Sequence, residues 1–150
     1  MKTQTTLIGL ITWIHLCTVW AHGAEHDSVH LNTVAFNFAA ALIAQGQFVA
    51  DNKGAWSNDH PTRSQANQFL RDRGLEEYSK WFLAVDERHT LDSKARYKFP
   101  FGDFRNVHRC GLLAVKARAH EYGYDEIEAA TAKLLQMIES AGPRSQKRVD

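Results

Sequence analysis

Cysteine is nearly absent from this chain, with only Cys17 and Cys110 among 150 residues. That excludes a disulfide-dense scaffold, and no Cys/His spacing matches a structural zinc site. Proline is almost as scarce, at three residues, which argues against a disordered or collagen-like chain. No apolar run reaches the roughly 20 residues that a membrane helix needs. Neither sign of charge is in excess: 18 Lys+Arg face 17 Asp+Glu, so neither a histone-like chain nor an acidic tail fits. There is no Gly-x-Ser-x-Gly elbow, phosphate-cradling Gly/Lys loop, dinucleotide fingerprint or His-Glu-x-x-His pair. No cofactor is therefore expected, and catalysis has no motif behind it.

Enough is present to build a core. Hydrophobic residues make up 44% and aromatics 11%, at a length suited to one domain. The N-terminus stands apart. Met1-Lys2, a 14-residue run from Leu7 to Trp20, and Ala21-His22-Gly23 follow the three-part layout of a secretory signal peptide. Residues 1–23 are read as that signal, 24–31 as a linker, 32–141 as the domain and 142–150 as a polar tail. The mature chain is then secreted or periplasmic, with no integral membrane segment. Without cleavage the protein is cytoplasmic with an N-terminal extension.

Helical punctuation dominates the domain. Asn32 or Thr33 caps an apolar segment that stops at Gly46, and this segment reads as a central buried helix. Thr62-Arg63-Ser64-Gln65 is a capping box, opening a helix that stops at Gly74. A short helix with Leu75, Tyr78, Trp81 and Phe82 follows. Ala95–Phe101 switches to period two, setting Tyr97, Phe99 and Phe101 on one side of an extended stretch. Asp103 then reads as the N-cap of a long helix to about Tyr122, ended by Gly123. The last helix starts at Asp125 or Glu126 and closes before Gly142-Pro143. The fold expected is all-α: a compact bundle of about five helices with one short extended aromatic segment.

Charge is segregated within the neutral total. Residues 94–118 carry seven Lys/Arg and one acid, whereas 119–141 carry one Lys and five acids. On a helix over 103–121, turning about 100° per residue, Arg105, Arg109, Lys116 and His120 share one stripe. Arg118 falls on the opposite, apolar face and would need an acid such as Glu126 or Asp86. His108 lies at that face's edge. Cys110 and His108 resemble a thiol–imidazole dyad, but two positions apart on one helix they point about 160° from each other.

Three segments carry a resemblance. Trp81–Asp86, the run Arg96-Tyr97-Lys98-Phe99-Pro100-Phe101-Gly102-Asp103-Phe104 and Val107-His108-Arg109-Cys110 resemble an uncharacterised bacterial family over about residues 34–140. A weaker similarity is to a small helical module of tailed-phage proteins. Neither implies an activity; both imply one compact helical unit, and residues 1–30 depart from the bacterial pattern.

The function expected is binding rather than catalysis. An acidic protein surface or a polyanion would be contacted through Arg105, Arg109, Lys116, Arg118 and His108. One alternative is a small enzyme of unknown reaction using His108, Arg118 and Asp103. Another is Cu(II) or Ni(II) capture at a mature Ala24-Glu25-His26 terminus, where an amine, two amides and the His26 imidazole form a square-planar set.

Overall fold

The computed structural model describes residues 28–141. The signal-like segment, the proposed His26 metal site and the tail from residue 142 onwards lie outside them. In chain order the elements are β1 (Val29–Leu31), α1 (Thr33–Ala44), β2 (Phe48–Val49), α2 (Trp56–Asp59), α3 (Arg63–Ser79), β3 (Phe82–Asp86), a 3-10 turn (Lys94–Arg96), β4 (Tyr97–Pro100), β5 (Val107–His108), α4 (Arg109–Tyr122) and α5 (Asp125–Ala141). No helix among the described residues is long and apolar enough to cross a membrane.

The chain is therefore mixed α/β, and the expected all-α helical bundle is wrong. A three-stranded antiparallel sheet in the order β1-β3-β4 lies at its centre, and β2 pairs with β5 in parallel. The error began at Phe82-Leu83-Ala84-Val85. A short, wholly apolar run fits a buried strand as well as the end of a helix, because neither face has a polar residue to set the period. Leu83 and Ala84 are both fully buried, so this strand is covered on both faces. The end of the expected linker is itself a strand, β1, whose Val29 and Leu31 pair with Asp86 and Ala84.

Helix punctuation was legible where it is local. Thr62 and Gln65 form the reciprocal capping box, and Gly74 breaks α3 with φ 79°. Asn32 caps α1 by accepting from Ala35 N at 3.2 Å, while its Nδ2 donates to the Ser79 and Phe82 carbonyls at 3.0 Å each. That side chain ties α1 to the junction of α3 and β3. The core between sheet and helices is filled by Ile43, Leu83, Phe101, Leu112, Ile127 and Leu134. Helix α5 packs against α4 and α1.

The helix expected from Asp103 begins six residues later, at Arg109. Residues 103–106 form a tight turn instead: Asp103 Oδ1 accepts from Arg105 N at 2.9 Å and Asn106 N at 2.6 Å, with Phe104 at φ 67°. Removing that phantom first turn rotates the buried face to Leu112, Val115 and Ala119. Arg118 consequently lies outside the core, its side chain 58% exposed and paired with Glu121 at 2.8 Å. The burial expected for Arg118 is wrong, and neither Glu126 nor Asp86 is its partner.

Asp86, at the end of β3, is fully buried. Arg88 grips it through Nε to Oδ1 and Nη2 to Oδ2, both at 2.9 Å, and through its amide at 3.1 Å. The Arg88 fork outweighs burial and holds the carboxyl at about 2, below its ordinary 3.8. A depressed folded value contributes stability above pH ~4, which is lost as pH falls through 2. Urea unfolding from pH 5 to 2 should show this loss, and Asp86→Asn should flatten it by about 1–2 kcal/mol, a modest figure because Arg88 is half-exposed.

Candidate functional site

Helix α4 lacks a cap of its own, since the His108 side chain makes no capping bond. The cap arrives from a loop 59 residues away in sequence. Parallel pairing aligns Phe48 with Val107 and Val49 with His108, so two residues further on Asp51 faces Cys110. Asp51 Oδ1 accepts from the Cys110 amide at 2.5 Å. Its Oδ2 lies 2.7 Å from His108 Nδ1 and 3.0 Å from Cys110 Sγ. Arg109 completes the wrap, donating from Nη1 to the Asp51 carbonyl at 3.3 Å.

His108 sits between two carboxylates. Its side chain is only 9% exposed, with Nδ1 on Asp51 and Nε2 3.4 Å from Asp103 Oδ2. Nδ1 must carry a proton to bond Asp51, which in the neutral ring leaves Nε2 as a bare acceptor. Accordingly, Nε2 is buried without a hydrogen-bond partner among the described residues. Trp56 covers the ring at a centroid distance of 6.1 Å.

Asp59, the last residue of α2, brings its carboxylate into the same group: one ligand-type atom from each of Asp51, Asp59, His108 and Cys110 lies within 4.8 Å of all the others. Gly111 permits this. A Cβ there would sit 2.8 Å from the Phe101 carbonyl oxygen and 2.9 Å from the Trp56 ring, so only glycine lets α2 lie so close to α4. Asp59 and Asp103 also line a cleft of about 690 Å³, together with His60, Phe69, Asp72 and Arg105.

Electrostatics separates the roles. Burial pushes the Asp51 carboxyl up, but bonds from the Cys110 thiol and amide and from His108 outweigh it and leave the group below its ordinary value. Asp103 is lowered too, the Asn106 and Arg105 amides overcoming its burial. Burial, then the Asp51 hydrogen bond, pushes the Cys110 thiol up to about 12. A thiol protonated at neutral pH is a poor nucleophile, which counts against cysteine-based catalysis.

The sequence-derived residues divide. His108, Asp103 and Arg109 meet here, and Arg105 stands exposed at the cleft. Lys116 is half-buried two turns along α4, and Arg118 belongs to a separate surface pair. His120 is also exposed, 3.0 Å from Glu128. The basic stripe is thus split between a loop and a helix. His108 and Cys110 do not share one helix as expected: His108 ends β5, Cys110 lies in the first turn of α4, and both reach Asp51. Asp51 and Asp59 were missed, because single loop and helix-end acids carry no periodic signal. No family model, curated protein or solved structure matches the chain.

Proposed function

We propose that this is a metal-binding protein whose centre, Asp51, Asp59, His108 and Cys110, takes one divalent ion of the zinc class. The observation that carries this is the stranded Nε2 of His108 facing Asp103. Histidines that bind zinc through one nitrogen almost always donate the other N–H to a carboxylate. With an ion in place of the proton on Nδ1, the ring proton belongs on Nε2, and Asp103 Oδ2 is already waiting for it. The orphaned atom then acquires a partner.

The donor set supports the same class of ion. One imidazole, one thiol and two carboxylates suit a borderline ion, whereas calcium and magnesium demand oxygen throughout. Asp51 divides its work: Oδ1 caps α4, leaving Oδ2 at the point where His108 and Cys110 converge. Tetrahedral bonds of about 2.0–2.3 Å put neighbouring ligand atoms about 3.3–3.7 Å apart. The contacts of 2.7 and 3.0 Å are hydrogen-bond distances, so the triangle must open by about half an ångström to accept an ion. Bound metal would tie the loop after β2 and the end of α2 to the start of α4. Three donors are buried or half-buried and Asp59 is exposed at the cleft, so the centre's accessible side is there.

Contact with an acidic partner or polyanion through Arg105, Arg109, Lys116 and Arg118 has less behind it. Arg109 is turned inward to Asp51, Arg118 is paired, and the cleft beside Arg105 is rich in carboxylates.

Competition with a chromophoric chelator tests the metal reading. The full chain should bind one Zn²⁺, Cys110→Ser and Asp59→Asn should each weaken it roughly 100-fold or more, and Asp103→Asn should weaken it about 10–100-fold. Weak binding that is equal in all four proteins would reject the centre.

A further inference from the structure

A second cavity, sharing no residue with the Asp51 centre, lies between the sheet and the turn joining α4 to α5. It encloses about 460 Å³, and Phe99, Tyr122, Tyr124, Asp86, Arg88 and Lys98 line it beside Val29. We infer that this cavity is a binding site for a small aromatic carboxylate, its ring lodged among the three aromatic side chains and its anion on Lys98.

The aromatic wall follows from a break in β4. Alternation along an extended strand would keep Tyr97, Phe99 and Phe101 on one side. Tyr97 does pack on Phe82 and Phe101 on Trp81. Phe99 leaves them, adopting φ 62° and placing its ring 6.1 Å from Tyr124, which in turn lies 5.9 Å from Tyr122. A bulky residue in the left-handed region is an outlier, and such strain gathers at ligand sites. The ladder to β3 is kept on both sides of it, Lys98 pairing with Ala84 and Pro100 with Phe82, so the departure is confined to Phe99.

The polar end selects charge. Two basic side chains and one carboxylate line the cavity. Asp86 takes three hydrogen bonds from Arg88, and His89 at 3.7 Å and Lys98 at 3.8 Å are its looser partners. The Lys98 side chain is 39% exposed and stands at the cavity wall. Glu87, the neighbouring acid, turns instead toward His30 and Arg96. A cavity of this volume, with several rings and a convergent charged group, suits a small molecule.

NMR titration of the full chain provides the test, using 3-phenylpropionate, its neutral amide and the cation phenethylamine as probes. The acid should produce saturable shifts at Val29, Lys98, Tyr122 and Tyr124, the amide should bind about tenfold more weakly, and the amine should not bind. Lys98→Gln should erase the preference for acid over amide while Arg88 keeps Asp86 satisfied. Phe99→Gly should weaken both ligands without unfolding the chain, because glycine adopts this backbone freely. Equal binding of acid and amide to the unaltered chain, shifts elsewhere or none at millimolar ligand, or a preference surviving in Lys98→Gln would overturn the assignment.

Discussion

Asp51→Ala should destabilise the metal-free protein by about 3 kcal/mol, combining a lost helix cap with a buried imidazole and thiol deprived of their acceptor. The Cys110 amide, His108 Nδ1 and Cys110 Sγ all converge on this one carboxylate. Asp103 lies on the other nitrogen of His108 and is engaged by two amides of its own turn, and Asp59, the other carboxylate of the group, sits at the exposed end of α2 and makes none of these three bonds. Asp51→Asn separates the contributions. It retains an oxygen for the Cys110 amide and loses the charge, so it should cost about half as much. Urea denaturation of the three proteins checks this, and a loss below about 1 kcal/mol for Asp51→Ala would mean the loop is not fastened as described.

Gly102→Ala should be comparably severe, at about 3 kcal/mol, for a steric reason. A Cβ there would lie 2.6 and 2.9 Å from Trp81 ring atoms and would collide with the Asn106 carbonyl oxygen. Neither neighbour can yield. Trp81 is 4% exposed and packs on Phe38, Phe101 and Phe104, while the Asn106 carbonyl receives the Asp103 amide at 3.3 Å. Gly46→Ala is the useful contrast. Gly46 has φ +75° but nothing within 4 Å of the added carbon, so that variant should lose only about 1 kcal/mol, from backbone strain alone. Thermal or urea unfolding of the pair distinguishes crowding from conformation. Equal losses would contradict the packing around Trp81.

The contrast between these sites explains what sequence reading reached. The Thr62–Gln65 box and the stops at Gly46, Gly74 and Gly123 depend on residues within one or two turns, and each is found where its pattern places it. The extended stretch at Tyr97 was likewise legible from alternation. Strand β3 was not, since Phe82–Val85 has no period of its own and is extended only because β1 and β4 flank it. Two-residue strands such as β2 and β5 are below any periodic signal, yet their register alone delivers Asp51 to Cys110. His108 and Asp103 stood out as chemistry-bearing residues beside a Gly-Asp turn. Their partners at 51 and 59 did not, because the contact that unites them is between segments some fifty residues apart. A helix capped at Asp103 would add Phe104 and Val107 to its apolar face and so centre that face near Arg118; the helix that starts at Arg109 has neither.

X-ray absorption at the zinc edge, on the full chain loaded with one equivalent of Zn²⁺, reads the donor set itself. The spectrum should show one sulfur at about 2.3 Å with the remaining nitrogen and oxygen neighbours at about 2.0–2.2 Å, and the sulfur should be lost in Cys110→Ser. A shell of nitrogen and oxygen alone in the unaltered protein would contradict that donor set.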